Sequence, residues 1–250
     1  MTILERVPVC FSAEASFAVG LPLIPAGMYC VWAAAVKKPS YLGLAIVPIC
    51  FGVQQISEGF VWHALEHDAA AVARSWSLVF LFFALAFWPC WFSVLTALME
   101  PEPRRKALFV ALSLATTGWF WILYYPLLVG PESLLTIQPV HHSIQYDYPQ
   151  LPIYGYVDKL PLRVLYFLSV ALPPILTTEQ RFGRIPGLVL GASAFLAAIV
   201  FNHAFVSVWC FFAAVLSIYC CIVFYRLPAP TKDNSGRPSY KQGSVHSNAV

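Results

Sequence analysis

A series of long apolar runs limits the fold of this chain more than any other feature. Each run is roughly 20 residues long, which is enough for an α-helix to cross the hydrocarbon core of a bilayer. Hydrophobic residues make up 59% of the chain and charged residues only 11%, whereas soluble domains contain about a quarter charged residues. Because so little charge cannot cover a water-soluble globule, the sequence predicts an all-α, polytopic integral membrane protein whose main partner is the lipid bilayer.

The apolar runs predict seven transmembrane helices. The last run covers about 40 residues, which is too long for one helix across the bilayer, so we divide it at Asn202 and His203. The predicted domain is a seven-helix bundle over residues 1–226. Residues 227–250, rich in Pro, Ser, Gly, Lys and Asn, predict a disordered cytoplasmic tail. The predicted spans are 15–36, 41–64, 76–99, 107–129, 160–177, 185–201 and 204–226.

The distribution of basic residues predicts the orientation of the bundle. With the amino terminus outside, the inner segments hold eleven of the 15 Lys and Arg residues and the outer segments hold four. Cytoplasmic segments of membrane proteins carry the excess of positive charge. The amino terminus is therefore predicted to be outside and the carboxyl terminus inside.

The second predicted helix carries polar residues inside its apolar run. Gln54, Glu58 and Trp62 follow one another at helical spacing, Gln55 lies beside them, and Gly59 would leave room for a ligand. A charged group at membrane depth costs about 2.5–3.5 kcal/mol, so it usually faces a protein interior or a wet cavity. We expect an outward-facing pocket in which a neutral Glu58 acts as an acid/base group. The alternative is a structural hydrogen bond between helices. The side chains expected to face this pocket come from three other predicted helices: Trp88 and Trp91 of the third, Thr116, Thr117, Trp119 and Trp121 of the fourth, and Ser207 and Trp209 of the last.

Histidines at the same end of the bundle suggest a metal site. His63 and His67 are four residues apart, the helical spacing at which two imidazoles can share one ion. A third and fourth ligand would come from His141, His142, His203, Glu66 or Asp68, and the ion would be a divalent transition metal such as zinc. Since these histidines point about 140° and 180° away from Glu58, the two features are expected to be separate. The alternative is that both histidines are ordinary residues at the headgroup boundary.

Two further patterns lie outside the second helix. Residues 130–160 alternate apolar and polar side chains around His141 and His142, which predicts an extended segment or hairpin across the outer mouth. Six of the seven cysteines lie within apolar runs, so we interpret them as packing residues. These six are Cys30, Cys50, Cys90, Cys210, Cys220 and Cys221.

Several classes of function are excluded. The last predicted helix has no lysine for a retinal Schiff base, and the chain has neither a phosphate-binding glycine loop nor a serine-centred nucleophile elbow. The basic residues lie in short loops beside the predicted spans, which argues against a nucleic-acid partner.

Three blocks of sequence carry a family resemblance. They are Cys10-Phe-Ser-Ala-Glu-Ala-Ser-Phe17, Phe51-Gly-Val-Gln-Gln-Ile-Ser-Glu-Gly-Phe-Val-Trp62 and Val206-Ser-Val-Trp-Cys-Phe-Phe-Ala-Ala-Val-Leu-Ser217. Together they resemble an uncharacterised family of small multi-pass membrane proteins. The resemblance implies a fold of several membrane helices and no particular activity.

Three functions remain open on these observations. The leading hypothesis is a membrane enzyme, small-molecule or metal dependent, that uses Glu58 as its acid/base and a histidine at the rim of the pocket. The second is a carrier or sensor that binds a proton or cation at Glu58 without catalysis. The third is a structural membrane subunit that binds no ligand.

Overall fold

A computed structural model describes residues 12–140, 143–178, 184–200, 205–227, 231–232 and 238–239. Ten α-helices and two short antiparallel hairpins form these parts of the chain. The helices are α1 (Ala13–Lys37), α2 (Leu42–Ala45), α3 (Val47–Glu66), α4 (Ala70–Leu81), α5 (Trp88–Met99), α6 (Pro103–Thr116), α7 (Tyr125–Val129), α8 (Lys159–Leu176), α9 (Ile185–Val200) and α10 (Phe205–Arg226). The strands are β1 (Thr136–Val140), β2 (Ser143–Asp147), β3 (Thr231–Lys232) and β4 (Pro238–Ser239).

Consecutive helices join into segments of membrane-spanning length. In the described residues, six helical segments are long and apolar enough to cross a bilayer. They are Ala13–Lys37, Pro39–Glu66, Ala70–Met99, Pro103–Val129, Lys159–Leu176 and Ser207–Arg226. Each overlaps a predicted span, and the predicted and observed limits differ by at most six residues. α9 covers most of the remaining predicted span but is 16 residues long. The disorder predicted for the tail stays a prediction, and its described residues pair as β3 and β4.

Prolines inside two of these segments are accommodated by π-helical turns. Phe82–Phe87 and Phe120–Tyr124 are π-helical, and each is followed two residues later by a proline, Pro89 or Pro126. A proline has no N–H to donate, so it leaves one carbonyl of the preceding turn without its helical partner. In a π-helical turn the hydrogen bonds join residues five apart in place of four. The unpaired carbonyl is therefore shifted by one residue, and the helix continues.

α1 packs most closely against α3 because glycines remove side chains from the contact. A Cβ built on Gly20 would lie 2.9 Å from the carbonyl oxygen of Gly52, and one built on Gly27 would lie 2.8 Å from the backbone nitrogen of Ile49. Membrane helices commonly use small residues in this way to bring two backbones together. α8 and α9 meet similarly, since a Cβ on Gly187 would lie 2.9 Å from the Cβ of Pro174.

The carboxyl ends of the first and last helices lie together. Lys37, the last residue of α1, donates from Nζ to the carbonyl oxygens of Phe224 at 3.2 Å and Tyr225 at 3.4 Å. A cation at this position also interacts favourably with the negative end of the α10 dipole. α1 and α10 therefore end at the same end of the bundle.

The segment between α7 and α8 contains the predicted hairpin. β1 and β2 pair antiparallel, with Ile137 opposite Tyr146 and Pro139 opposite Ile144. Ile144 and Tyr146 lie on one side of β2 because side chains alternate along a strand. Ile144 is completely buried, and the Tyr146 ring stacks on Phe80 of α4. The hairpin is thus anchored to the helices by the inward face of β2.

Candidate functional site

A group of buried polar side chains lies between α3, α4, α10 and the β1–β2 hairpin. We call it the polar cluster and define it by Gln54, Gln55, Glu58, Ser77, Tyr146, Ser207 and Cys210. Gln54, Gln55 and Ser77 have no exposed surface, and Glu58 retains 2%. Burying uncompensated polar atoms is costly, so this concentration needs either mutual hydrogen bonds or a ligand.

Gln54 connects four helices and satisfies its own polar atoms. Its Nε2 donates to the Cys210 Sγ at 3.2 Å and to the Phe80 carbonyl oxygen at 3.5 Å. Its Oε1 accepts a 2.7 Å hydrogen bond from the Trp88 indole N–H. The expectation that Trp88 faces this residue is confirmed. The same expectation for Thr117 and Trp121 is wrong, because both are exposed and Trp121 retains 61% of its surface. Because both polar atoms of its amide are hydrogen-bonded, Gln54 holds the cluster in place and is not a free group for a ligand.

Glu58 is the only acid of the cluster, and its carboxyl group is incompletely paired. Oε2 accepts a 3.4 Å hydrogen bond from Gln55 Nε2, and the Ser207 hydroxyl lies near the carboxyl group. Oε1 has no hydrogen-bond partner, and the same is true of the Gln55 Oε1. Among the described residues no cation forms an ion pair with Glu58. Two acceptor oxygens are therefore enclosed here without a donor.

Tyr146 brings a hydroxyl group from the hairpin to the cluster. Its ring stacks on Phe80 with a centroid separation of 5.0 Å. Burial raises the pKa of Tyr146 well above its ordinary value, and negative charge on nearby Glu58 and Cys210 adds to the effect. The phenol is consequently a hydrogen-bond donor at neutral pH. Ser77 lies beside it, yet neither hydroxyl has a partner with hydrogen-bond geometry.

The sequence analysis did not identify Tyr146, Ser77 or Cys210 as site residues. Tyr146 reaches the cluster through a contact between distant parts of the chain, which helical periodicity cannot reveal. One usable signal was present, because Ile144 and Tyr146 are two residues apart in a predicted strand and so share a face. An apolar residue on that face indicates that it points inward.

The space expected at Gly59 does not belong to the cluster. A Cβ built on Gly59 would lie 2.8 Å from the ring of Phe17 in α1. Gly59 is about 100° from Glu58 around the helix, on the side of α3 that packs against α1. The expectation that a ligand approaches at Gly59 is wrong, because Phe17 occupies that position.

Trp62 and Trp209, the two tryptophans predicted to bind a ligand, lie at the periphery of the cluster. Trp62, one turn beyond Glu58, is 8% exposed, and its indole N–H has no hydrogen-bond partner. Trp209 is also buried, and its ring stacks on Phe167 of α8 with a centroid separation of 5.9 Å. Trp62 thus offers a donor, whereas Trp209 mainly packs the α8–α10 contact.

The candidate metal ligands form a separate group at the end of α3. His63, Glu66 and His67 are all exposed, and one ligand atom from each lies within 4.8 Å of the others. The His67 Nδ1 is 2.8 Å from the His63 carbonyl oxygen, which leaves Nε2 available to an ion. Glu58 is buried and the histidines are exposed, in agreement with two separate features. His203, His141 and His142 lie outside the described residues.

These features define a class of protein, namely a multi-pass helical membrane protein with an enclosed acid held among amides and hydroxyls. The chain belongs to DUF6629, a family of unknown function, whose model matches residues 9–235. No curated protein and no solved structure matches the chain. The family match agrees with the resemblance of the three sequence blocks to an uncharacterised family.

Proposed function

We propose that this membrane protein reversibly binds a proton or a small cation at Glu58. The observation that supports the proposal is the pair of enclosed, unpartnered acceptor oxygens, Glu58 Oε1 and Gln55 Oε1. Free acceptor oxygens suit a positively charged guest. An isolated carboxylate would be costly at this depth, so a bound proton or cation restores the balance of charge.

Binding fits the cluster better than catalysis does. Glu58 is its single acid, and the thiol of Cys210 already accepts a hydrogen bond from Gln54. An enzyme would also need room for a substrate beside Glu58, where Tyr146 and Phe80 are stacked. A proton or small cation requires far less space. In this proposal the β1–β2 hairpin covers the site, and Tyr146 lies on the route between Glu58 and water.

The proposed topology is a seven-span bundle with the amino terminus outside and the carboxyl terminus inside. α8 ends beside α5, because Thr177 and Thr178 both donate to Glu100. α10 ends beside α1 through Lys37. If α8 and α10 both end at the inner face, the chain must cross the membrane between them. That crossing is assigned to α9 and the residues that follow it, and the basic residues then concentrate at the inner face.

Infrared difference spectroscopy of the purified protein in lipid vesicles tests the proposal. We expect a carboxylic-acid absorption that changes when the buffer is made acidic or alkaline, or when sodium is exchanged for a large organic cation. Glu58→Gln keeps the size of the side chain but removes its charge, and it should abolish the signal. Glu66→Gln, which changes an exposed acid of the same helix, should preserve it. A Glu58 band that responds to neither pH nor sodium would leave only the structural role.

A second candidate function is zinc binding by the exposed group at the end of α3. The specific observation is that His63, Glu66 and His67 already lie within ligand distance of one another. In equilibrium dialysis against zinc, His67→Gln should lower the affinity by at least the roughly 10–100-fold that is typical when a hydrogen-bond partner of a metal ligand is lost. His246→Gln, in the tail, is the control and should have no effect. Equal zinc binding by both variants would reject this site.

A further inference from the structure

Two cysteines from opposite ends of the chain have their thiols in contact. The Cys30 Sγ of α1 and the Cys221 Sγ of α10 are 3.2 Å apart, although the residues are 191 positions apart in sequence. Both are free thiols, Cys30 is fully buried, and Cys221 is partly buried. All six cysteines in the apolar runs were expected to be packing residues. A direct contact between two thiols goes beyond that expectation, because helix packing does not require two thiols to meet.

The contact lies where α1 and α10 are held together independently. Lys37, two turns beyond Cys30, binds the carbonyl oxygens of Phe224 and Tyr225 at the end of α10. This interaction fixes the relative position of the two helices near Cys221. The thiols therefore face each other because the backbones are fixed, and only a small movement separates them from bonding distance.

We propose that Cys30 and Cys221 form a reversible disulfide that links the first and last helices. The oxidant would be an apolar organic disulfide, since both thiols lie in membrane-spanning helices. The Cys221 thiolate attacks one sulfur of this reagent and displaces one thiolate, giving a mixed disulfide. The Cys30 thiolate then attacks the Cys221 sulfur and displaces the second thiolate. The two protons lost by the cysteines pass to the two thiolates released, so the reagent gains the two electrons that the cysteines lose.

The neighbouring Cys220 provides a matched control. It lines a largely apolar cavity of about 180 Å³ between α3, α5, α9 and α10. Adjacent residues of a helix point about 100° apart, so Cys220 and Cys221 face different neighbours. Cys220 is next to Cys221 in sequence, but the sulfur that the Cys30 Sγ contacts is that of Cys221.

Chemical cleavage at methionine can detect the bond in the native chain. The methionines are Met1, Met28 and Met99, so cleavage separates Cys30, in fragment 29–99, from Cys221, in fragment 100–250. Vesicles containing the full-length protein are treated with an aromatic disulfide, remaining thiols are blocked with maleimide, and the fragments are separated without reductant. We expect most of fragment 29–99 to be joined to fragment 100–250, and a reducing agent to release it.

Variants identify the cysteines responsible. Cys30→Ser and Cys221→Ser should each abolish the joined product, whereas Cys220→Ser should retain it. If a variant fails to fold, mass spectrometry of the oxidised native chain still shows whether the peptides of Cys30 and Cys221 are linked. The proposal is overturned if the two fragments stay separate after oxidation, or if the linked peptides contain Cys50, Cys90, Cys210 or Cys220 in place of the proposed pair.

Discussion

At the scale of single residues, the part of the chain that the structure describes contains two buried acids in opposite situations. Glu58 has one unpartnered oxygen, whereas Glu100, which follows α5 and is 2% exposed, has both oxygens occupied. Glu100 accepts hydrogen bonds from the hydroxyls of Thr177 and Thr178 at 2.8 Å and 2.6 Å, and from two backbone N–H groups. Because both of its oxygens are hydrogen-bonded, the Glu100 carboxylate is suited to a structural link between α5 and α8. The contrast supports a binding role for Glu58 and a structural one for Glu100.

The hydrogen bonds of Glu100 lead to a prediction about the stability of the fold in acid. Burial alone would raise the pKa of its carboxyl group, but hydrogen bonds from Thr178, Thr177 and the backbone of Glu102 outweigh burial and lower it. A group whose pKa is lower in the folded state stabilises the fold above its unfolded value, about 4.3, and this contribution disappears as the pH falls through the folded value. Thermal unfolding in detergent should therefore show a midpoint that falls in acid.

Substitution separates Glu100 from the other acids. Glu100→Gln should lower the free energy of unfolding at neutral pH by about 1–3 kcal/mol, because one amide cannot accept all four hydrogen bonds. It should also weaken the dependence on acid. Glu66→Gln, at an exposed position, is the control and should change neither quantity. A Glu100→Gln protein that unfolds like the wild type at every pH would contradict this assignment.

At the scale of helices, the π-helical turn before Pro89 explains why Tyr166 is buried with its hydroxyl group. The backbone N–H of Trp88 donates to the carbonyl oxygen of Phe83, five residues earlier. The next donor in this pattern would be residue 89, which as a proline has no N–H, so the Ala84 carbonyl is left without its helical partner. Tyr166 of α8 donates its hydroxyl hydrogen to the Ala84 oxygen. A defect in one helix is thus satisfied by the side chain of another.

This pairing predicts that Tyr166 and Pro89 are energetically coupled. Tyr166→Phe should cost about 1–3 kcal/mol of stability because it leaves the buried Ala84 carbonyl unsatisfied. Pro89→Ala restores a backbone N–H that can reach this carbonyl, so Tyr166→Phe should cost less in the Pro89→Ala protein. A double-mutant cycle of unfolding free energies measures the difference. Equal costs in the two backgrounds would show that the tyrosine and the proline act independently.

At the scale of the whole molecule, the helices were more predictable than the site. Bilayer thickness imposes a minimum length on each apolar run, so span limits could be read from composition. Helical spacing likewise grouped Gln54, Gln55 and Glu58 correctly. By contrast, Tyr146 enters the cluster, and Phe17 fills the space at Gly59, through contacts between distant segments that periodicity does not encode. The π-helical turns also escaped prediction, because a proline indicates a gap in hydrogen bonding but not how the helix accommodates it.

The arrangement of the helix ends makes a prediction about both faces of the membrane. The tie at Lys37 joins the ends of α1 and α10, and the tie at Glu100 joins the ends of α5 and α8. In the proposed topology all four ends lie at one face. The β1–β2 hairpin follows the end of α7, so in the proposed topology it lies at the opposite face. In that proposed topology the excess of basic residues lies at the first end, which is therefore predicted to be cytoplasmic. Labelling with a membrane-impermeant maleimide can test this assignment in intact cells.

Single cysteines placed at residues 101, 155 and 239 in a Cys10→Ser background should divide into two groups. Gly155→Cys, in the connection between the hairpin and α8, should be labelled in intact cells. Pro101→Cys, between α5 and α6, and Ser239→Cys, in the tail, should be labelled only after the membrane is permeabilised. The parent protein without an added cysteine measures any labelling of the thiols within the helices. Labelling of Gly155→Cys and Ser239→Cys from the same side would mean an even number of crossings between them, and the seven-span topology would then be incorrect.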